Sequence, residues 1–287
     1  MCHARTFLRA GPYRVPPLIG KRSWYKAAMQ KVAPLRSPLL AEHGFKHGFS
    51  PRRGGISAAP FDTCNLGRGV GDEPSCVAEN RRRFAAAVGY AEETLFEVNQ
   101  VHGRDVRAVA PGDLPAQLVA LSADGLVADG GRTVGVRTAD CVPVLVADPT
   151  TRAVAALHAG WRGTAFGVIG VGVESLRKLA AAPAERLIAS LFPHIGVCCF
   201  EVSEEVAETL VASLPRTAAG EVVRRVAGGK PRVDLSAILR QQLMAAGVPA
   251  RQIDLVAGCT RCDAESFFSY RRDGQASGRH LTAIVAD

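Results

Sequence analysis

Apolar positions alternate or cluster in short runs through the middle of the chain, and each run ends in turn-forming residues. DGLVA, TVGVRT, VPVLVAD and AVAALH read as short strands rich in Val and Leu. LFEVNQVHG reads as a strand ending at His102, and LIASLF, residues 222–226, IDLVAG, FFSY and LTAIV as further strands. Helical spacing replaces this pattern in four places. One helix follows Pro74-Ser75, with Val77, Phe84, Ala85 and Val88 on one face and Gly89 as its stop. A second runs from Thr164 to Ala181, with apolar positions at 165, 168, 169, 172, 173, 176 and 180. Ser203 caps a third, whose first turn carries Glu204 and Glu205, and Asp234 caps a fourth that ends at Gly247. From Pro51 to Gly71 the chain reads as loop and turns. Helices do not alternate strictly with strands, so the pattern predicts an α+β fold rather than a doubly wound sheet.

Charge changes this picture only at one end. The net charge of +8 invites a nucleic-acid reading, but residues 1–41 hold eight basic side chains and no acidic one. The remaining residues carry 27 basic against 27 acidic groups, so the body is neutral and a basic groove for nucleic acid is not expected. Residues 1–41 are expected to be a disordered basic extension, and 42–287 a single catalytic domain. The leader has no apolar core of a secretory signal, and its scarcity of Ser argues against a transit peptide. An upstream start codon, with Met29 as the true beginning, explains it equally well. No apolar run is long enough to span a bilayer.

Eight cysteines in 287 residues do not make a disulfide scaffold, and without a secretory signal they are expected as reduced thiols in the cytoplasm. Cys259-Thr-Arg-Cys262 is a lone C-x-x-C without a second pair, which reads as two small buried residues rather than a zinc ribbon. His102, Cys141 and His158 are different: each stands where a strand gives way to a turn. Two imidazoles and a thiolate suit Zn²⁺, and their wide spacing fits a catalytic site drawn from separate elements. As single residues each is equally an ordinary core side chain. Asp140 is placed to orient a ligand from behind. Arg162, before the helix at Thr164, is a candidate for holding phosphate, as are Arg52, Arg53, Arg81, Arg271 and Arg272, although each is also an ordinary surface arginine.

The blocks HGFSPRRGGIS, NLG, ENR, NQVHG, ADGLV, RTADCVPVLVADP, ALHAGWRGT, PHIGVCCFEV and CTRCDAESFFSYRRDG occur in order from about His47 to Val285. Together they resemble the laccase-domain, or YfiH-like, family. The resemblance implies a four-layer α/β/β/α sandwich with mixed sheets, related to the catalytic domain of cytotoxic necrotizing factor toxins. It implies a purine nucleoside phosphorylase that also deaminates adenosine and cleaves methylthioadenosine, with purine nucleosides and phosphate as its partners. It places zinc on His102, Cys141 and His158, and substrate against Arg81 of ENR and Asn65 of NLG. The family pattern is broken at Phe192-Pro193, where it has Gly-Pro, and at Phe200, where it has tyrosine. Neither touches the trio.

Three rivals stand beside this reading. Copper-dependent oxidation of phenols uses His and Cys ligands, but a multicopper cluster needs His-x-His pairs, and none exists among the seven histidines. A metal-free Cys141–His158 hydrolase or deamidase is the second, and a non-enzymatic partner protein the third. A monomer is expected, since no heptad pattern or apolar helix stands out.

Overall fold

Side chains that alternate along the strands sort into three packed interfaces, and these define the architecture. The computed structural model describes residues 31–214, 221–225 and 228–287. A four-stranded sheet has the order β1 (His47–Phe49), β12 (His280–Val285), β5 (Thr133–Thr138), β2 (Leu95–Phe96), and only its β2–β5 pair is parallel. A six-stranded sheet has the order β11 (Ile253–Leu255), β8 (Ile188–Leu191), β6 (Val142–Ala147), β7 (Val154–Ala159), β4 (Gly125–Ala128), β3 (Val106–Ala108). Its outer pairs, β11–β8 and β3–β4, are parallel and the inner ones antiparallel. A short antiparallel pair joins β9 (Val223–Arg224) to β10 (Arg232–Val233). The helices are α1 (Pro38–Glu42), α2 (Pro74–Val88), α3 (Pro115–Leu118), α4 (Trp161–Ala165), α5 (Val168–Ala180), α6 (Glu204–Ala212), α7 (Leu235–Ala245) and α8 (Tyr270–Asp273).

Successive strand residues point to opposite faces. Leu126, Val134, Val136, Leu145, Val154, Ala156 and Ile284 therefore fill the space between the two sheets. Their neighbours Val127, Val144, Val146, Ala155 and Leu157 face the other way, onto Ile169, Val173 and Leu176 of α5 and Leu239 and Leu243 of α7. Leu95, Leu281 and Ala283 pack the outer face of the smaller sheet against Phe84 and Val88 of α2. Three apolar interfaces separate four layers, helix, sheet, sheet, helices, so the expected sandwich and mixed sheets are present. Mixed sheets are permitted here because both faces of each are covered.

Helix α2 begins at Pro74 and stops at Gly89, whose φ of 104° only glycine adopts without strain. Ser203 and Asp234 cap α6 and α7 through side-chain bonds to Val206 N and Ala237 N. Other expectations need correction. LFEVNQVHG is a strand only at Leu95–Phe96. The buried carboxylate of Glu97 is held by Arg81 and Arg137, and the chain then leaves the sheet, bridging Asn99 to Ser122 beside the other one. The helix read from Thr164 begins instead at Trp161 and is broken at Gly167, where φ is 81°. FFSY is no strand: Phe267 and Phe268 are buried in a loop, and Ser269 caps α8. Of the strand read over 222–226, Val223–Arg224 is a strand, Val222 and Arg225 are not, and residue 226 lies outside the described residues. Residues 31–41 are not a loose extension either. Leu35 pairs with Phe49 and Leu40 is fully buried, because Ser37 caps α1 and fixes its apolar residue over the core. Met29 and the rest of the basic leader lie outside the described residues. Among the described residues, no helix is long and apolar enough to cross a membrane.

Candidate functional site

Twice the chain crosses from the smaller sheet to the larger, and each crossing delivers one chemically active side chain. Residues 97–105, between β2 and β3, carry His102; residues 139–141, between β5 and β6, carry Cys141. His158 lies in β7 on the same face as Val154 and Ala156, so its ring enters the space between the sheets. The three ligand atoms all lie within 4.8 Å of one another. The two imidazole rings stand edge to face with centroids 4.8 Å apart. Both crossings pass through left-handed backbone at non-glycine residues, His102 at φ 60° and Asp140 at φ 93°. That conformation is uncommon for such residues and marks places where surrounding structure overrides local preference.

Asp124, at the start of β4, organises the trio. It is fully buried, and its Oδ1 accepts from His102 N at 2.9 Å and from His158 Nδ1 at 2.8 Å, while Oδ2 accepts from Gly103 N at 2.6 Å. The carboxylate therefore fixes the proton of His158 on Nδ1 and leaves Nε2 free to face Cys141. Burial alone would raise the Asp124 pKa, but the bonds from His158, Gly103 and His102 outweigh it and hold the carboxyl below its ordinary value. Burial likewise opposes charge on Cys141 and His158, yet each charge stabilises the other. The thiol is pulled below its usual range and the imidazole raised above it. Gly160 completes the packing. A Cβ there would stand 3.0 Å from the His102 ring and 3.1 Å from Cys141 Sγ.

Asp140, expected to orient a ligand, does something else. Its Oδ1 accepts from the Thr260 hydroxyl at 2.6 Å and its Oδ2 from Arg271 N at 2.6 Å, so it ties the pocket wall together. The orienting carboxylate is Asp124, signalled in sequence only by a lone acid opening an apolar strand.

The trio opens into a cavity of about 620 Å³, within the range typical of small-molecule sites. Arg68, Arg137, Arg162, Arg271 and Arg279 line it, with Trp161, Phe200 and Tyr270. Among the described residues no carboxylate forms an ion pair with Arg162, Arg271 or Arg279, so their charge is available to an anion. Burial lowers the Arg279 pKa, with the fields of Tyr270 and Asp140 partly opposing it. The Arg162 guanidinium lies over the Trp161 ring, 4.5 Å from its centroid. Arg137 and Arg279 were not singled out by sequence; their signal is position, one at the end of a strand and one just before another.

Other expected substrate residues lie elsewhere. Arg81 is 1% exposed and spends its guanidinium inside the protein, on Glu97, on Glu92 Oε1 at 2.7 Å and on Leu66 O at 3.0 Å. Through Glu97 it supports Arg137, which does reach the cavity. Asn65 is buried and positions two lining residues, its Oδ1 accepting from Gly67 N and Arg279 N. Arg53 is exposed on an ion pair with Glu265. Arg52 binds Asp62, and Arg272 binds Asp273 and the carbonyl of Thr260; none of these three lines the cavity.

Two imidazoles and a thiol, from three different elements and open on one side, are a donor set suited to Zn²⁺ or copper. His158 fits such a role because its tautomer presents Nε2 to the shared centre. The reading of Cys259 and Cys262 as buried apolar residues fails: Cys262 is exposed, and both lie beside Cys198 and Cys199.

Residues 46–287 match a family described as multi-copper polyphenol oxidoreductase laccase. The chain is 41% identical over 240 residues to "Purine nucleoside phosphorylase SCO2081" of Streptomyces coelicolor, covering 83% of this chain and 93% of that one. It is 36% identical over 243 residues to "Purine nucleoside phosphorylase YlmD" of Geobacillus stearothermophilus, covering 83% and 88%. The crystal structure of that YlmD superposes with a TM-score of 0.82 at 33% identity, covering 90% of this chain and 96% of that one. Bacillus licheniformis YfiH gives 0.79 at 32%, covering 84% and 92%.

Proposed function

We propose that this chain, which belongs to the multi-copper polyphenol oxidoreductase laccase family, is a purine nucleoside phosphorylase that also deaminates adenosine. Phosphate attacks C1′ of a nucleoside, the bond to the purine nitrogen breaks, and free base and ribose-1-phosphate leave. Adenosine, inosine and guanosine are the substrates, and so is methylthioadenosine, whose sugar leaves as 5-methylthioribose-1-phosphate. The observation that carries this reading is the His102–Cys141–His158 cluster opening into a cavity whose rim holds unpaired arginines.

The residues divide the work. Arg162, Arg271 and Arg279 bind the phosphate and set it in line with C1′, which removes much of the entropic cost of a two-substrate reaction. Their fixed positive charge also stabilises the transferring anion without reorganisation. Trp161, Phe200 and Tyr270 offer ring faces to the purine. Asp140 holds the Arg271 backbone, and Glu97 holds Arg137, so the anion site is preorganised. His102, Cys141 and His158 would hold zinc, which supplies Lewis acidity at the departing base and lowers the pKa of water for deamination. Asp124 keeps the His158 proton on Nδ1, away from that centre.

Incubating metal-replete protein with inosine, with and without phosphate, tests the reading. Hypoxanthine and ribose-1-phosphate should appear in equal amounts and only with phosphate; adenosine should give inosine as well as adenine. No release of base in the presence of phosphate overturns it. A second reading has its own observation: Cys141, His158 and Asp124 form a thiol–imidazole–carboxylate series, the arrangement of a metal-free cysteine hydrolase. Turnover undiminished after the trio's metal is stripped would favour that reading. Copper oxidation of phenols would require a blue absorption band in protein purified without added copper.

A further inference from the structure

Two loops far from the trio in sequence bring four thiols together. Cys198 and Cys199 sit in the turn after β8, and Cys259 and Cys262 in the loop after β11. Cys262 Sγ is 3.5 Å from Cys198 Sγ and 3.2 Å from Cys199 Sγ, and all four sulfurs lie within 4.8 Å of one another. None is in a disulfide. A tetrahedral Zn²⁺ with bonds of about 2.3 Å holds its sulfurs about 3.8 Å apart, a value inside this observed range.

The backbone is built around the sulfurs. Gly196 N donates to Cys259 Sγ at 3.3 Å, and a Cβ at Gly196 would stand 3.3 Å from Cys198 Sγ. His194 and Cys259 form a parallel bridge that fixes one loop against the other. Arg261, between Cys259 and Cys262, places a positive charge beside Cys199, next to a centre that would carry two negative ones. Thiols are weak hydrogen-bond donors and acceptors, so four of them gain little from one another's company alone. A shared divalent ion makes the arrangement favourable.

We propose that Cys198, Cys199, Cys259 and Cys262 form a second metal site, a closed tetrathiolate that takes Zn²⁺. Binding displaces the four thiol protons and changes no oxidation state. With four protein ligands it keeps no position for substrate, so its role is structural. It clips together the loops that form one wall of the cavity. Ile195, Phe200 and Arg271 line that wall, and Thr260, between the two cysteines of the C-x-x-C, donates to Asp140.

The His102→Ala/Cys141→Ala double variant, purified under reducing conditions with zinc, isolates this site. Native mass spectrometry should find two zinc ions per wild-type chain and one in the variant. Cobalt exchanged into the variant should give the intense thiolate-to-metal absorption of a tetrathiolate, and Cys259→Ser/Cys262→Ser should lose one zinc equivalent. Should the serine variant not fold, the first variant still decides. A His102→Ala/Cys141→Ala protein that binds no zinc, with its thiols free to a thiol reagent, overturns the proposal. So does a disulfide among the four after reducing purification. The result is independent of whether the protein phosphorolyses nucleosides.

Discussion

Asp124→Asn tests the link between fold and centre most sharply. The substitution keeps the shape of the side chain but replaces one acceptor oxygen by a donor. If the amide nitrogen takes the place of Oδ2 it meets Gly103 N–H, which now bonds at 2.6 Å. If it takes the place of Oδ1 it meets His102 N–H and His158 Nδ1–H, now at 2.9 and 2.8 Å. Either orientation sets buried donor against donor, which costs about 1–3 kcal/mol of stability. In the second, the clash with His158, though not that with His102 N–H, is relieved if His158 moves its proton to Nε2, the atom aimed at the shared centre. Metal affinity should then fall about 10–100-fold, the usual loss when the partner of a ligating histidine is removed. Competition against a chromophoric chelator reads this, on the Cys259→Ser/Cys262→Ser background so that one site competes. Asp140→Asn is the control, since that carboxylate touches Thr260 and Arg271 rather than a ligand. Wild-type affinity in Asp124→Asn, or an equal loss in Asp140→Asn, would refute the reasoning.

Arg81→Ala should lower unfolding free energy by about 3–5 kcal/mol, because it strips the buried Glu97 of its closest partner. Loss of turnover at unchanged melting temperature would instead restore a substrate-facing role. Gly160→Ala should displace the His102 ring or the Cys141 sulfur by a few tenths of an ångström and reduce turnover about tenfold, with little change in melting temperature; wild-type kinetics would show that the trio tolerates it. His280 makes the fold acid-sensitive. Its Nδ1 donates to Ser50 O and its Nε2 accepts from Phe268 N, so the neutral ring is locked in, and burial lowers its pKa from 6.5 to about 4. The unfolded chain therefore binds the extra proton first as pH falls. Stability is fully present above 6.5 and is lost towards 4, by about 3 kcal/mol at about 1.4 kcal/mol per pH unit. Denaturant melts across that range should show the loss, and His280→Gln, whose amide can keep both bonds, should lack that part of it.

The legible parts of this fold are those governed by local periodicity. The Val134–Val136 and Val144–Val146 alternations mark strands that the structure contains, and Gly89 marks the end of α2 to the residue. Arg81 lies inside the protein and not on the cavity, and the signal for that placement is present in the sequence. The residue falls four residues after Val77 and seven before Val88, on the buried face of α2, where an arginine must find internal partners. Asp124 and the four thiols were less accessible. Asp124 meets His158 across two neighbouring strands, and Cys199 meets Cys262 across 63 residues, distances that no repeat or spacing rule spans.

The same limit explains where the chemistry sits. A strand inside a sheet commits its backbone to ladders and its side chains to packing, and leaves little room for three ligands to converge. Where the chain passes between sheets, both commitments lapse together. His102 and Cys141 occupy two such passages, and the turns that carry them run through left-handed backbone at His102 and Asp140. From sequence these places look like ordinary strand ends, because periodicity stops at a crossover as it stops at a turn. What distinguishes them is that a second sheet waits on the far side, with Asp124 immediately before its strand β4 to receive the crossing backbone. The centre is therefore a property of the two-sheet sandwich, and substitutions that loosen Asp124 or crowd Gly160 should damage it while leaving both sheets intact.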